Sequence, residues 1–387
     1  MTNLTDKHRV LGILACSTNH HPPFAERAYY EQLTKVGKSL GVAIVVFSPR
    51  RIDWRTRQVH GYVYSPALKQ WYAHTTALPS VIYDRCFYVS SAHYERYRPF
   101  VQKLRRDPQT ELLGVPLKGK WQLAQLIRHS EQLSRYFPHT ERYVNPGSAR
   151  AFIQRYRALV AKPSAGSHGR GIVAVMHHKA SGRYLIFGRT KENTPLSQTC
   201  DTLDQTLAWL HRFIGPNRYL LQPYLKLRTP NHLPFDIRIL MQKDERHAWQ
   251  TTGIAVRTGR LHSLTSNLHG GGRAVKFRPF LLQLPFEPHV LKRIEQDIRV
   301  IKEQLPPLIE RKHGRLCELG IDVGIDVEGR VWLLEVNSKP GRQVFRQAGE
   351  REMYLAAIRR PVLYANALLK RRAFAAPPTT GARGVGS

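Results

Sequence analysis

A glycine-rich segment at residues 160–172 has the composition of a phosphate-binding loop. It reads Val-Ala-Lys-Pro-Ser-Ala-Gly-Ser-His-Gly-Arg-Gly-Ile, and its glycines and small side chains let backbone N–H groups close on phosphate oxygens. It is not a Walker loop, because its lysine precedes the glycines and no Gly-Lys-Ser/Thr follows. A plain hairpin turn is the alternative for such a loop taken alone. The candidates for phosphate contact are Lys162, Ser164, Gly166, Ser167, Gly169 and Gly171.

A second segment, 320–342, sets acidic and amide side chains among Val, Ile, Leu and Trp. Its two alternating halves flank a Glu-Gly turn, which predicts a β-hairpin. Side chains two apart on a strand share a face, so Glu335 and Asn337 lie together, and the hairpin brings Asp322 opposite them. Two carboxylates and an amide oxygen are hard ligands of the kind that hold Mg²⁺ beside phosphates. The alternative is an exposed acidic hairpin. Asp326 shares the face of Asp322 but lies near the turn, so Asp322 ranks first.

The first hundred residues predict an α/β unit ahead of these segments. Apolar runs at 10–15 and 42–47 flank an amphipathic helix at 26–40, and a further strand is expected at 81–83. Strand, helix and strand in this order predict the parallel βαβ opening of a small Rossmann-like domain.

Breaks in the pattern divide the chain into domains. A basic, proline-containing stretch at 94–107 marks the end of the first domain. We therefore expect one domain at 1–105 and a second at 106–374. The Pro- and Gly-rich end, 375–387, has nothing to pack and is predicted to be a disordered tail.

The second domain is expected to mix helices and strands. Helical patterns begin at Lys120 and after Ser148, and a strand at 159–161 leads into the glycine loop. Apolar residues at spacings of three and four over 291–305 predict a long amphipathic helix, which Pro306 closes.

The charge balance of the chain is strongly positive. Its 387 residues include 60 Lys and Arg against 28 Asp and Glu, a formal net charge of +32. Such a field attracts nucleic acid, an acidic polymer or a phosphate-rich ligand, and a solvated basic surface is the alternative. No aromatic and basic repeat of a nucleic-acid module occurs, so nucleic acid would bind without sequence preference. The basic faces at 94–106 and 292–302 are the candidates.

Length and cysteine content exclude several classes of protein. At about 150 residues per domain, the chain has room for two to three domains. Its four cysteines lie far apart and without zinc-site spacing, which predicts a reduced, cytoplasmic protein. No run approaches the ~18 apolar residues of a membrane-spanning helix, so no membrane insertion is expected.

Several motifs follow one another in the order typical of the ATP-grasp superfamily. They are Lys120-Trp121, the glycine loop, a strand pattern at 235–241 and the acidic hairpin. Over roughly 112–342, the chain most closely resembles the YheC/YheD group of endospore coat-associated ATP-grasp proteins, and more distantly the glutamate ligase RimK. This resemblance implies an α/β fold: an N-terminal Rossmann-like pre-ATP-grasp domain followed by a two-lobed α+β ATP-grasp unit. The central lobe, with a mobile glycine loop, would occupy about 148–225.

The same resemblance implies how a nucleotide would be held. Lys120 and Lys162 would contact its phosphates, and the glycine loop would close over them. Pro223 stands where the family usually has an acidic residue, so the adenine would rely on the Pro223 carbonyl group and the Leu225 N–H group. The adenine contacts implied are Gln222, Tyr224 and Leu225.

Catalytic roles are implied for two further segments. The strand at 235–241 places Asp236 and Arg238 on one face, and the family uses this arginine on the transferring phosphate. A plain ion pair is the alternative for these two residues. The loop at 266–273 resembles one that reaches the phosphates or the acceptor substrate, with Asn267 as its candidate. The implied catalytic residues are Lys162, Arg238 and Asn267.

The activity that the resemblance implies is ATP-dependent ligation of a carboxylate to an amine through an acyl-phosphate. ATP and Mg²⁺ are the expected cofactors, and the carboxylate and amine substrates are unknown. A small-molecule kinase of the same fold is one alternative. A non-catalytic spore coat or polyanion-binding protein on the same scaffold is another. We expect a cytoplasmic protein that associates with the spore coat.

Overall fold

Three β-sheets, each with its own apolar core, follow one another along the chain. The structure is a computed structural model, and it describes residues 9–117, 119–166, 169–261, 263–264, 266 and 271–375. Among the helices of these residues, none is both long enough and apolar enough to cross a membrane. The predicted tail lies outside the described residues, apart from its first residue.

The first sheet has seven strands and contains the predicted βαβ unit. Its strands are β1 (Arg9–Leu14), β2 (Val42–Phe47), β3 (Ile52–Asp53), β4 (Gln58–Ser65), β5 (Gln70–Ala77), β6 (Val81–Asp84) and β7 (Glu111–Leu113), and its helices are α1 (Arg27–Ser39) and α2 (Ser91–Arg106). The strand order is β3-β4-β2-β1-β6-β7, with β5 paired to β4. β1 pairs in parallel with β2 and β6, which confirms the predicted strand–helix–strand opening.

The basic stretch that we expected to mark a domain boundary is largely helical. α2 continues through Pro99, because Tyr97 and Leu104 are buried in the core of the first sheet. β7 follows the expected boundary near residue 105 and pairs in parallel with β6. The first sheet therefore extends to Leu113.

The second sheet is antiparallel and carries the glycine loop. Its strands are β8 (Glu141–Arg142), β9 (Ala158–Pro163), β10 (Val173–His178), β11 (Arg183–Arg189), β12 (Pro195–Cys200) and β13 (Tyr219–Pro223); α3 (Lys120–Arg128) precedes them, and α4 (Pro146–Tyr156) and α5 (Leu203–Ile214) belong to them. The order is β12-β11-β10-β9-β13-β8. The strand expected at 159–161 is confirmed as β9. Apolar residues of α4 and α5 pack with it into one core.

The third sheet is also antiparallel and contains the predicted hairpin. Its strands are β14 (Phe235–Lys243), β15 (Trp249–Thr258), β16 (Arg273–Lys276), β17 (Glu318–Ile325) and β18 (Val331–Asn337), and its helices are α6 (Phe277–Leu282), α7 (Pro288–His313), α8 (Gln343–Gln347) and α9 (Arg351–Ala375). The order is β16-β15-β14-β17-β18. The hairpin of β17 and β18 is confirmed, and every residue of β14 is buried.

The expectation that Pro306 ends the long helix is wrong. α7 runs on through Pro306 and Pro307 to His313. Leu305 and Ile309 are fully buried in the core of the third sheet. Packing of the continuing apolar face therefore outweighs the backbone hydrogen bonds that the two prolines remove.

A buried ionic cluster joins the third sheet to the first. Glu318 on β17 accepts hydrogen bonds from Arg342 at 2.5 Å, Gln242 at 2.9 Å and Arg85 at 3.3 Å. The carboxylate is fully buried, so these partners compensate for its desolvation. α9 crosses the same junction and contributes Ile358 and other apolar residues to the core of the first sheet. The first and third sheets are thereby held together.

Candidate functional site

A cleft between the second and third sheets brings many of the predicted site residues together. Its walls are formed by β9, β13, β14 and β18 and by the segments that follow them. The predicted residues that line it are Lys120, Lys162, Gly169, Gln222, Tyr224, Leu225, Asp236, Asp322 and Glu335.

Two lysines and one glutamate lie close together in this cleft. Lys120 begins α3, and its Nζ lies 3.5 Å from Oε1 of Glu335 on β18. Lys162 lies on β9, where its partner residue is Leu220 on β13. Burial, together with the smaller effect of the Lys120 charge, lowers the pKa of Lys162 to about 7 against the opposing effect of Glu335. A phosphate group would relieve the repulsion between the two ammonium groups.

The glycine loop has the backbone geometry for which glycine is required. Gly166, Gly169 and Gly171 have φ values of 115°, 73° and 68°, which other residues rarely adopt. A Cβ atom at Gly171 would lie 2.8 Å from the Tyr219 hydroxyl group. The predicted contact Ser167 lies outside the described residues.

Apolar side chains also form part of the cleft walls. Val160 and Ile172 come from the second sheet, and Leu334 comes from β18 of the third. Gln222 is held in place because its Nε2 donates a 2.7 Å hydrogen bond to the Thr140 hydroxyl group. A flat heterocyclic base of a ligand could pack between these apolar walls, with backbone polar groups of the protein at the edge of its ring.

Four charged side chains of the third sheet form a buried network beside the lysines. Arg238 lies opposite Asp322 across β14 and β17, with its Nε 2.5 Å from Oδ1 and its Nη2 3.0 Å from Oδ2. Arg257 on β15 donates from Nε to Asp236 Oδ1 at 2.6 Å and places Nη2 3.0 Å from Asp322 Oδ2. All four residues are buried. Two positive and two negative charges thus compensate one another in this network.

The two aspartates of this network differ in pKa. Burial raises the pKa of Asp236 above its ordinary value, although Arg257 opposes this shift. Burial acts in the same direction on Asp322, but the guanidinium groups of Arg238 and Arg257 outweigh it and lower the pKa to about 2. Asp322 therefore stays ionised well below neutral pH, as a metal ligand must.

The geometry of the hairpin fits a hard cation. Asp322 and Glu335 are direct partners across β17 and β18, and Asn337 follows two residues on. Asp326 is used elsewhere, because its Oδ1 accepts the Arg330 N–H group at 2.9 Å and its Oδ2 accepts the indole N–H group of Trp332 at 2.8 Å. Within the described residues no cluster of three His, Cys, Asp or Glu side chains could hold a metal. The candidate set is two carboxylates and one amide, Asp322, Glu335 and Asn337.

Some predicted residues lie beside the cleft instead of lining it. Of the residues that the structure describes, Ser164, Gly166, Gly171, Arg238 and Asn337 are in this group. Asn267 lies outside the described residues, as does His168.

Sequence reasoning missed three polar or charged residues that line the cleft. They are Arg228, Arg257 and Ser266. Arg257 is the most informative, because it contacts both aspartates. A signal for it exists in the sequence, since it is a lone arginine in the apolar run Gly-Ile-Ala-Val-Arg of β15.

Known proteins resemble this chain over most of its length. A family model described as YheC/D-like ATP-grasp matches residues 109–368. The endospore coat-associated protein YheC of Bacillus subtilis (strain 168) is 31% identical over 355 residues, which are 90% of this chain and 94% of YheC. The endospore coat-associated protein YheD of the same strain is 25% identical over 356 residues, which are 90% of this chain and 76% of YheD. Among solved structures, D-cycloserine synthetase DcsG has a similar fold, with a TM-score of 0.52 and 13% identity over 93% of this chain and 99% of DcsG.

Proposed function

The chain belongs to the YheC/D-like ATP-grasp family and has the ATP-grasp fold, and on that premise we propose that it is an ATP-dependent carboxylate–amine ligase. The observation that supports this proposal most directly is the composition of the cleft. Lys120 and Lys162 share it with Asp322, Glu335 and Arg257. Such opposed charges suit the phosphates of a nucleotide together with a divalent cation.

ATP would lie along the cleft with its base outermost. The adenine would pack between Val160 and Ile172 on one side and Leu334 on the other, at the linker that follows β13. Its phosphates would extend inward to Lys120 and Lys162. There the positive-φ glycines allow the backbone to approach closely.

Mg²⁺ would be held by Asp322, Glu335 and Asn337, whose oxygens meet the preference of this cation. When bound, the cation neutralises charge on the phosphates during transfer of the γ-phosphoryl group. Arg257 and Lys162 would bind the transferred group as its charge moves. Arg238 would orient Asp322 through its two hydrogen bonds.

The proposed reaction has two steps. A carboxylate oxygen of the first substrate attacks the γ-phosphorus, ADP leaves and an acyl-phosphate forms. The amine nitrogen of the second substrate then attacks the acyl carbon, inorganic phosphate leaves with the electron pair of the broken C–O bond, and the proton that the nitrogen loses passes to this phosphate. No covalent bond to the protein is needed, so the residues of the cleft act by positioning and by electrostatic stabilisation.

The decisive experiment measures ADP release with sets of carboxylic acids and amines, followed by mass spectrometry of the products. We expect ADP to form only when both substrates are present. The product mass should equal the sum of the two substrates minus one water. A phosphorylated single substrate would instead identify a kinase. If calorimetry finds no ATP binding to the folded protein, with or without Mg²⁺, the enzymatic proposal is wrong.

A second proposal concerns a polyanionic partner. The cationic face, defined as Arg50, Arg51, Arg96, Lys103 and Arg106, lies on α2 and on the segment before β3. Contacts join the two parts, because α2 packs against residues 49–51 and Arg50 lies over the Phe100 ring at 5.9 Å. None of the five cations forms an ion pair with a carboxylate that the structure describes. We propose an acidic polymer as its partner.

The names of the two curated relatives suggest where such a partner would be found. Both are called endospore coat-associated proteins. We propose that this chain also associates with the coat from the cytoplasm. A fluorescent fusion followed through sporulation tests this, and a diffuse signal at all stages would contradict it.

A further inference from the structure

Arg257 connects the two aspartates that line the cleft. Its guanidinium group spans from Asp236 Oδ1, 2.6 Å from Nε, to Asp322 Oδ2, 3.0 Å from Nη2. The Ser266 hydroxyl group donates to the other oxygen of Asp236. Only 8% of the Arg257 side chain is exposed, yet Arg257 lines the cleft, whereas Arg238 is not among the described residues that line it. Arg257 is therefore the guanidinium group of this network that a nucleotide can reach.

Asp322 is already occupied in this arrangement. Arg238 donates to both of its oxygens, at 2.5 and 3.0 Å, and Arg257 contacts Oδ2 as well. A cation that approaches Asp322 meets two positively charged groups about 3 Å from the same carboxylate. Glu335 is different, because its partner Lys120 lies 3.5 Å away and 32% of the glutamate side chain is exposed. Asp322 is thus the ligand whose availability limits metal binding.

We propose that Arg257 couples metal binding to nucleotide binding. Without nucleotide, Arg257 holds Asp322 and opposes entry of the cation. Phosphate oxygens compete for the guanidinium group, which binds them in a bidentate manner. Arg257 then leaves Asp322 free on one side, while Arg238 continues to orient it. This inference rests on the proposed function, because it assumes that Asp322 is a metal ligand.

The contacts with Asp322 favour release of Arg257 from this carboxylate over release of Arg238. Arg238 lies directly opposite Asp322 and contacts it through two nitrogens, whereas Arg257 contacts it through one. Arg257 also keeps Asp236 as a partner after it lets Asp322 go. Because binding linkage is reciprocal, the cation should in turn tighten nucleotide binding by the same factor.

The test measures Mn²⁺ affinity by electron paramagnetic resonance, with and without a non-hydrolysable ATP analogue. The wild-type protein should bind Mn²⁺ weakly alone and at least about tenfold more tightly with the analogue. The double variant Arg257→Met with Asp236→Asn removes one charge of each sign, so the remaining pair stays balanced. It should bind Mn²⁺ alone at least about tenfold more tightly than the wild-type protein, and the analogue should add little.

Two further variants make the result specific. Arg228→Met removes another arginine that lines the cleft, and it should leave Mn²⁺ affinity without nucleotide unchanged. Arg257→Lys keeps the charge, but its side chain cannot span both aspartates. It should therefore weaken the coupling between metal and nucleotide binding without abolishing metal binding.

The outcomes separate this inference from the proposed function. If the wild-type protein binds Mn²⁺ with the analogue but the folded double variant gains no affinity without it, the coupling role of Arg257 is wrong and the metal site stands. If the wild-type protein binds no Mn²⁺ even with the analogue, the assigned ligands are wrong and the inference falls with them.

Discussion

Lys120 Nζ lies 3.5 Å from Oε1 of Glu335, so a candidate phosphate-binding lysine pairs directly with a candidate metal ligand. Both side chains are partly exposed, at 20% and 32%. An ion pair of this kind contributes about 1 kcal/mol or less, so ligands can displace it readily. Under the proposed function, a phosphate group would replace Glu335 as the partner of Lys120, and a cation would replace Lys120 as the partner of Glu335.

Removing a proposed metal ligand should strongly reduce turnover and leave the fold intact. We expect Glu335→Gln and Asn337→Ala each to reduce ADP release on the order of 100-fold, because loss of a hard oxygen ligand weakens Mg²⁺ binding. Circular dichroism and thermal unfolding should be close to those of the wild-type protein. Glu328→Gln is the matched control, because Glu328 is an exposed glutamate of the same hairpin that pairs with Arg330. Normal turnover by both ligand variants would show that the metal site is elsewhere.

ATP binding should depend on pH through Lys162. Its pKa in the free protein is lowered to about 7 by burial and by Lys120, and a bound phosphate would raise it again. Binding above pH 7 therefore takes up a proton, and ATP affinity should fall with rising pH, by at most about tenfold per pH unit. Calorimetry between pH 7.5 and 9.5, in buffers of different ionisation enthalpy, measures both the affinity and the proton uptake.

Lys162→Arg is the control for this pH dependence. Arginine stays charged throughout the range, so the variant should show no proton uptake and a flat affinity profile. The same slope in both proteins would assign the titration to another group.

Replacing Gly171 should lower the free energy of unfolding because an added Cβ atom would meet a close neighbour and because the backbone angle disfavours other residues. Gly171 and Gly182 have φ values of 68° and 66°, so alanine at either is strained by about 1–2 kcal/mol. A Cβ atom at Gly171 would also lie 2.8 Å from the Tyr219 hydroxyl oxygen, whereas nothing lies within 4 Å at Gly182. In urea unfolding, Gly171→Ala should therefore be more destabilising than Gly182→Ala.

The double variant Gly171→Ala with Tyr219→Phe separates these two effects. Removing the hydroxyl group removes the close contact and should restore part of the lost free energy of unfolding. If Gly171→Ala and Gly182→Ala are equally destabilised and Tyr219→Phe restores nothing, the contact has no role and only the backbone angle matters.

The sequence predicted the part of the site whose functional side chains follow the two-residue period of β-strands. Asp322, Glu335 and Asn337 belong to one hairpin, so the period of two residues and the Glu-Gly turn were enough to bring the carboxylates together. Arg257 was missed because its contact with Asp322 reaches across β14 and depends on the order of strands in the sheet. Local pattern carries no information on that order.

Tertiary packing also explains the expectations that differed from the structure. Pro306 was expected to end a helix, and Pro99 lies in the stretch expected to end the first domain, but both lie inside helices. In each helix, buried residues on both sides of the proline hold the backbone in place. α9 likewise packs on the first sheet through contacts between residues that lie far apart in the chain. A division of the sequence into consecutive domains could not predict these contacts.

The cationic face should bind an acidic polymer independently of the nucleotide cleft. We expect poly-L-glutamate to bind at low salt and to lose affinity on the order of tenfold or more as salt rises, because counterions are released on binding. Reversing Arg51, Arg96 and Arg106 to glutamate should abolish this binding and leave ATP affinity unchanged. Arg98 and Arg105 are left in place, because Arg98 pairs with Glu95 and Arg105 donates to the His313 carbonyl group.

The control for this surface reverses three exposed cations outside both candidate basic faces, Lys35, Lys179 and Arg212, which changes the net charge by the same amount. If the two variants weaken poly-L-glutamate binding equally, net charge alone attracts the polymer and the cationic face has no special role. Duplex DNA bound in preference to poly-L-glutamate would identify nucleic acid as the partner. If neither polymer binds at low salt, the basic residues form only a solvated surface. The predicted difference between the two variants arises because α2 packs against the segment before β3, which brings the cations of these two parts together. A linear polymer can therefore contact several of them at once, and each additional contact steepens the dependence of its affinity on salt.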